Sequence, residues 1–366
     1  MPLPQVALAA NNTDDTLMIL NNLGAAQMIA GQTAAATESL HAALSLDPTL
    51  HSALINLGSY YAEEGELATA SSMFDEAIAT LLPQTDFGTH IRKAILLPPI
   101  MTSPAQITQT HETLLQDVRT VAALALTRPP HTPVTDPVSA IERVHFYLPY
   151  LGRDDDRQTQ EMIRYMYQLA LSPDLSQTAP HLLQPPPPSP PQPAPLRMGF
   201  VSKFFGDLEP HGLLLEGILA HLPRDHFYPM LFPIATSSRP PANYLTAAVA
   251  ETVPLPLNFA GARAILLAAN LDILVFADMN SEPMNHFLGY SRFAPVQCLF
   301  WGNPITSGHY DTIDYFISAD RMEHPFRTKI EAGKLPYSEQ VVLLDGQGIW
   351  YSPFEDLDKQ VRKSAR

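Results

Sequence analysis

At 366 residues, 46% of them hydrophobic, the chain is long enough for two or three domains and apolar enough to give each a core. A formal net charge of -15, with no Lys/Arg block before Lys359, Arg362, Lys363 and Arg366, argues against nucleic acid or an anionic membrane surface as partner. The single cysteine, Cys298, excludes an intramolecular disulfide and a Cys-rich zinc site; within the apolar run Val296 to Phe300 it reads as a packing residue in a reducing compartment.

Residues 1–16 read as a tail. They have no basic n-region, their apolar part is short for a signal peptide, and no stretch of the chain reaches about 18 uninterrupted apolar residues. The expected location is the cytoplasm, with the nucleus as the alternative.

From residue 17 the chain repeats itself. Leu20, Leu23, Gly24, Gly31, Ala36, Leu40 and Ala43 recur as Leu54, Leu57, Gly58, Gly65, Ala70, Phe74 and Ala77, an offset of 34 that is the tetratricopeptide period. Small Gly24/Gly58 and Ala36/Ala70 let two antiparallel helices approach, while Leu40/Phe74 and Ala43/Ala77 fill the groove beside the next repeat. Pro48 stands where the second helix must stop. Two such units, 17–84, are too few to be stable alone, so something has to stack on them.

Residues 85–183 read as a helical linker region. The segments Ala105 to Leu126 and Arg157 to Leu171 carry helical periodicity, the latter with Met162, Tyr165, Met166, Leu169 and Ala170 on one face. Asp154, Asp155 and Asp156 suit the solvated first turn of that helix. Residues 184–195, eight of them proline, form an extended spacer and a domain boundary.

After residue 195, short apolar runs alternate with helices: strands at Leu196 to Ser202, His226 to Ile234, Asp272 to Asp278, Val296 to Gly302, Tyr315 to Asp320 and Val341 to Leu344. Helices are expected at Gly212 to Leu222, Asn243 to Glu251, Ala260 to Asn270 and Met284 to Tyr290. This is the pattern of a Rossmann-like, doubly wound parallel sheet over 196–350, an α/β unit joined to an all-α front, with 351–366 as a tail. Ligands of such sheets sit at the carboxyl ends of the strands, where three loops fall. The first, from Lys203, enters a helix at His211, whose imidazole the helix N-terminus keeps neutral. The second offers Asp278, Asn280, Ser281 and Glu282 as oxygen ligands. The third, Trp301, Gly302, Asn303, Pro304, Ile305, Thr306, Ser307 and Gly308, supplies hydroxyls and backbone amides suited to a phosphate or an acceptor hydroxyl. No Walker A, HExxH, GxSxG or GxGxxG pattern is present.

The segments LRMGFVSKFFGDLEPHG, DILVFADMNSEPMNHFLGYSRFAPVQCLFWGNPITSGHYDTIDYFISAD and PYSEQVVLLDGQGIWY resemble the first catalytic lobe of O-GlcNAc transferase and SPINDLY-like glycosyltransferases. HFYLPYLGRDDDRQTQ resembles the helical region before that lobe. The resemblance implies tetratricopeptide repeats joined to a two-lobed GT-B unit, with inverting sugar transfer from a nucleotide sugar, UDP-GlcNAc, to Ser or Thr of proteins. It implies no metal and no other cofactor, and protein or peptide acceptors held by the repeats. His211 would be the catalytic histidine; Asp278, Asn280, Ser281, Trp301, Gly302, Asn303, Pro304, Thr306, Ser307 and Gly308 would line the cleft. Leu208 stands where many relatives have a histidine, and Asn280 where the family has His or Tyr. The nucleotide-holding second lobe follows the segment matching Gly346 to Tyr351, so the expectation is a partial chain or one half of a split enzyme with a separate second lobe. The alternative is a catalytically inactive tetratricopeptide scaffold.

Overall fold

The computed structural model describes residues 13–81, 87–127, 134–184, 194–207, 209–234, 240–300, 306–323 and 336–348. The chain divides into two compact units at Val134/Thr135. Residues 135–184 therefore belong to the unit that contains the sheet, and most of the proline-rich segment expected as a spacer lies outside the described residues.

In the first unit, helices α1 (Thr13–Ile29) and α2 (Thr33–Leu46) form one hairpin, and α3 (His51–Glu63) and α4 (Leu67–Thr80) the next. The internal match has a direct steric meaning. A Cβ on Gly24 would lie 2.6 Å from Leu40 Cγ, and one on Gly58 would lie 2.7 Å from Phe74 Cε1. Each hairpin closes by dropping a large side chain of its second helix into the notch left by a glycine of its first. The hairpin turns repeat too: Gly31 and Gly65 have φ of +71° and +82°, the left-handed region that glycine enters without steric cost. Leu20, Leu40, Ala43, Ala53 and Leu57 form a shared core. Helix α2 stops at Leu46, before Pro48. Two further helices, α5 (Phe87–Ala94) and α6 (Pro104–Thr127), continue this unit. Helix α6 buries His111, Leu114, Val118, Val121, Ala122 and Ala125, a stripe at helical spacing.

The second unit opens with α7 (Pro137–Ile141), a 3-10 turn at Leu148–Leu151, and α8 (Asp156–Ala170). Its sheet has seven strands: β1 (Leu196–Ser202), β2 (Phe227–Pro233), β3 (Glu251–Thr252), β4 (Ile273–Phe276), β5 (Val296–Phe300), β6 (Tyr315–Ala319) and β7 (Gln340–Leu344). All neighbours pair in parallel in the order β3-β2-β1-β4-β5-β6-β7. The chain winds outward from β1 in one direction, then returns to β4 and winds in the other. The order reverses between β1 and β4, where a doubly wound sheet opens its crevice. The helices of this part are α9 (Pro210–His221), α10 (Asn243–Ala247), α11 (Phe259–Ala268) and α12 (Pro283–Leu288).

Phe200 of β1, Leu231 of β2, Val275 of β4 and Phe300 of β5 share one core cluster with Leu214, Leu215 and Leu219 of α9 and with Leu245. Cys298 lies in the same cluster, its thiol pushed up to about 12, chiefly by burial. Strand β3 replaces the end of the helix expected over Asn243 to Glu251. That helix stops at Ala247, and Glu251 and Thr252 pair with Met230 and Leu231 of β2. Two residues are too short a run for an alternation to show in the sequence.

Candidate active site

The carboxyl ends of β1 and β4 bring the first two loops together. Ser202, the last residue of β1, is fully buried; its side chain bonds Asp278, and its Oγ accepts from Phe204 N at 2.8 Å. Asp278 sits just beyond β4, with no exposed surface, and accepts from Asn285 Nδ2 at 2.9 Å. Burial above all, then the neighbouring Glu282, pushes the Asp278 carboxyl well above the usual carboxylate range, against the pull of Ser202, Asn285 and Lys203. Glu282 is also shifted up by burial, opposed by the amides of Asn285 and Met284. Burial thus opposes ionisation of both carboxyl groups, and at Asp278 the neighbouring Glu282 adds to it. Glu282 accepts from Met284 N at 3.0 Å and from Asn285 N, capping α12.

Asn280 links the second loop to the third. Its Oδ1 accepts from His286 Nδ1 at 3.1 Å, and its Nδ2 reaches Thr306 O at 3.5 Å. Ser281 is half-buried on the same loop. His211 stands in the first turn of α9, half-buried, its ring stacked on Phe204 with centroids 5.3 Å apart. Trp301, Gly302, Asn303 and Pro304 lie outside the described residues, as does Leu208.

The third loop holds an anion of its own. Thr306 Oγ1 donates to Glu339 Oε2 at 2.6 Å and Ser307 N to Glu339 Oε1 at 2.8 Å, while Ser307 Oγ donates to the same carboxylate. Thr306 Oγ1 in turn accepts from Ser338 N at 2.9 Å, and Ser307 Oγ from His309 N at 3.0 Å. Glu339 is buried. The hydroxyls and amide expected to cradle a phosphate are thus committed to an internal carboxylate, which would also repel one. Gly308 is left-handed at φ +76°, and a Cβ there would meet the Gln160 backbone at 3.0 Å.

That contact exposes what the periodicity of α8 did not show. The helix buries Thr159, Gln160, Ile163, Arg164, Met166, Tyr167 and Ala170, whereas Tyr165, expected on the apolar face, is 52% exposed. Polar side chains occupy the buried face because they answer polar groups opposite. Arg164 Nη1 donates to His309 Nδ1 at 2.6 Å, and its Nη2 pairs with Asp311. Gln160 Oε1 accepts from His145 Nε2 at 2.5 Å. The rings of His145, His286 and His309 follow one another edge to face, 5.4 Å and 5.3 Å between centroids. Burial drives the His145 imidazole down to about 4 and holds His286 and His309 well below the usual histidine value, with Arg164 adding to both shifts. All three are neutral at physiological pH. The sequence signal was thin: an Arg following Ile163 on the face that also carries Met166 and Ala170.

At the start of α8, Asp155 pairs with Arg153 at 2.8 Å. Asp156 is pushed up to about 7 by burial and by Asp155, against Arg153. Among the described residues no three His, Cys, Asp or Glu side chains are grouped to hold a metal ion, and no helix is long and apolar enough to cross a membrane.

No protein-family model matches the chain, and no curated protein sequence matches it. Its fold does have solved counterparts. A mutant of the O-GlcNAc transferase of Thermobaculum terrenum superposes with a TM-score of 0.55 at 18% identity, over 93% of this chain and 59% of that one. The chain thus spans about three fifths of the length of that structure, and it shares the O-GlcNAc-transferase-like architecture of a helical front and a Rossmann-like lobe.

Proposed function

We propose that the chain is the repeat-bearing, acceptor-side part of a protein O-glycosyltransferase similar to O-GlcNAc transferase. The reaction is inverting transfer of a sugar from a nucleotide sugar to Ser or Thr hydroxyls of proteins. One observation carries the reading: an O-GlcNAc-transferase-like fold in which the loops after β1, β4 and β5 are tied to one another through Ser202, Asp278, Asn280 and Thr306. In a doubly wound sheet this is where a ligand sits.

Each residue has a defined part in this reading. Asp278, buried beside Glu282 with its carboxyl raised by burial, serves in this reading as a proton holder beneath the crevice floor. His211, a catalytic residue in the same reading, faces the developing charge from the first turn of α9. Ser281 offers a hydrogen bond to the acceptor backbone, Asn280 holds the second loop to the third through His286 and Thr306, and Trp301, Gly302, Asn303 and Pro304 line the cleft. Thr306, Ser307 and Gly308 serve by shaping the wall, since their polar groups already bind Glu339. The donor nucleotide, UDP-GlcNAc in this reading, is held by a second lobe supplied by further chain or by a separate protein; the hairpins of the first unit present the acceptor.

The test is transfer itself. The chain is incubated with a second-lobe fragment, a Ser/Thr peptide library and UDP-GlcNAc or GDP-fucose, and peptides are read by mass spectrometry. Modified peptides that disappear with Asp278→Ala support the reading. Peptide capture without any transfer, under every donor and fragment, moves the protein to the scaffold class.

A further inference from the structure

The β5–β6 loop is gripped from two sides. Glu339, just before β7, holds Thr306 and Ser307, and α8 holds Gly308, His309 and Asp311. The Gln160 backbone underlies Gly308, and Arg164, one turn later, reaches His309 and Asp311 at once. Arg164 has 2% of its side chain exposed, and Asp311 has 44%. The guanidinium also lies 4.5 Å from the centroid of the Tyr290 ring and 5.6 Å from that of Tyr310. Only a planar group with donors pointing two ways can serve both loop partners from one side chain.

This grip fixes a proton. His309 Nδ1 lies 2.6 Å from Arg164 Nη1 and 3.1 Å from Gly289 O. One nitrogen cannot both accept from the guanidinium and donate to the carbonyl. Arginine never gives up its proton in a protein, so at the shorter contact Nδ1 must accept. His309 is therefore the Nε2–H tautomer, and the Gly289 carbonyl is served instead by Thr312 Oγ1 at 2.6 Å. The imidazole orientation, and with it the path of the chain from Ser307 to Thr312, depends on Arg164.

We propose that Arg164 is a positioning residue: through His309 and Asp311 it fixes the β5–β6 loop against Glu339, making helix α8 part of the acceptor-side wall. The proposal rests on the transferase reading of the crevice for its functional meaning, but its geometry is testable without activity.

The first readout is the ring-nitrogen spectrum of histidine-labelled protein, with His309→Gln providing the assignment. In the unsubstituted chain His309 Nδ1 is expected unprotonated; in Arg164→Met it takes the proton and donates to Gly289 O. The second is amide hydrogen exchange. Arg164→Met should speed exchange across residues 306–312 at least tenfold and leave β1 and β4 within twofold. Arg164→Lys should not restore protection, because an ammonium group reaches one partner only. Asp311→Asn, at a partly exposed site that the fold tolerates, should speed the same segment by a smaller factor.

A protonated Nδ1 in the unsubstituted protein, or unchanged exchange over 306–312 in both Arg164→Met and Asp311→Asn, overturns the proposal. In the reconstituted transfer assay, Arg164→Met should raise KM for the acceptor peptide severalfold more than it lowers kcat. If the spectra behave as expected but no transfer is found for any form, the positioning role stands and the transferase reading falls.

Discussion

At the scale of single residues, the β5–β6 turn carries the sharpest consequences. Gly308 combines a left-handed φ of +76° with backbone of a neighbouring helix 3.0 Å from where a Cβ would sit. Gly308→Ala therefore pays for strain and overpacking together, about 2–4 kcal/mol. Because the offending atoms are Gln160 Cβ, C and O, which Ala also has, Gln160→Ala should give no relief. Urea denaturation of the single and double variants checks this, and a double variant as stable as Gln160→Ala alone would refute the steric account. Glu339 makes the complementary case. Its carboxylate accepts from Thr306 Oγ1, Ser307 N and Ser307 Oγ, whereas an amide keeps one acceptor oxygen and turns two donors into the site. Glu339→Gln should cost about 1–3 kcal/mol. The same denaturation curve measures it.

At the scale of elements, the hairpins show why the repeat was legible. A Cβ on Gly58 falls 2.7 Å from Phe74 Cε1, so Gly58→Ala should destabilise the first unit by about 1–3 kcal/mol. Truncating the partner in Gly58→Ala/Phe74→Ala should recover part of the clash, whereas Phe74→Leu should not, since a Cβ beside Leu40 in the Gly24/Leu40 pair would lie only 2.6 Å away. Thermal melts followed by circular dichroism, with exchange protection in α3 and α4, would show a non-additive pair; strict additivity would mean that the notch is not where the two meet. The offset of 34 could be read because each matched residue does one steric task twice. Parallel strands were legible for a related reason: β1, β2, β4, β5 and β6 are buried on both faces and appear as apolar runs. What the sequence hid is polar and non-local. Arg164 and His309 are separated by 145 residues, and no local pattern pairs them. Nor could spacing show that Thr306 and Ser307 would turn to Glu339 and away from a ligand. Element ends shifted by one or two residues where capping groups such as Glu282 and Asn258 set them.

At the scale of the whole molecule, buried groups in the second unit oppose one another in pH dependence. His145, His286 and His309 have depressed values. The unfolded chain takes up protons there below the ordinary histidine value of about 6.5, so these groups remove stability as pH falls through that point. Asp278, Glu282 and Asp156 have raised values. The folded chain keeps their protons where the unfolded chain has lost them, so their stability is present at acid pH and is lost as pH rises through the folded values. Between the ordinary carboxylate and histidine values the two sets act in opposite directions, and each substitution should unmask the other side by about 1.4 kcal/mol per pH unit for every proton removed. Asp278→Asn keeps the acceptor for Asn285 Nδ2, removes one acid, and should both gain stability at pH 8 and lose it more steeply toward pH 5. His145→Gln should flatten the acid limb, since it removes one imidazole whose value burial drives down to about 4. Urea titrations followed by far-ultraviolet circular dichroism at pH 5, 6, 7 and 8 give the stability-versus-pH curves. Parallel stability-versus-pH curves for Asp278→Asn and the unsubstituted chain would mean that Asp278 is ionised in the fold, and its role as a proton holder at the crevice floor would go with it.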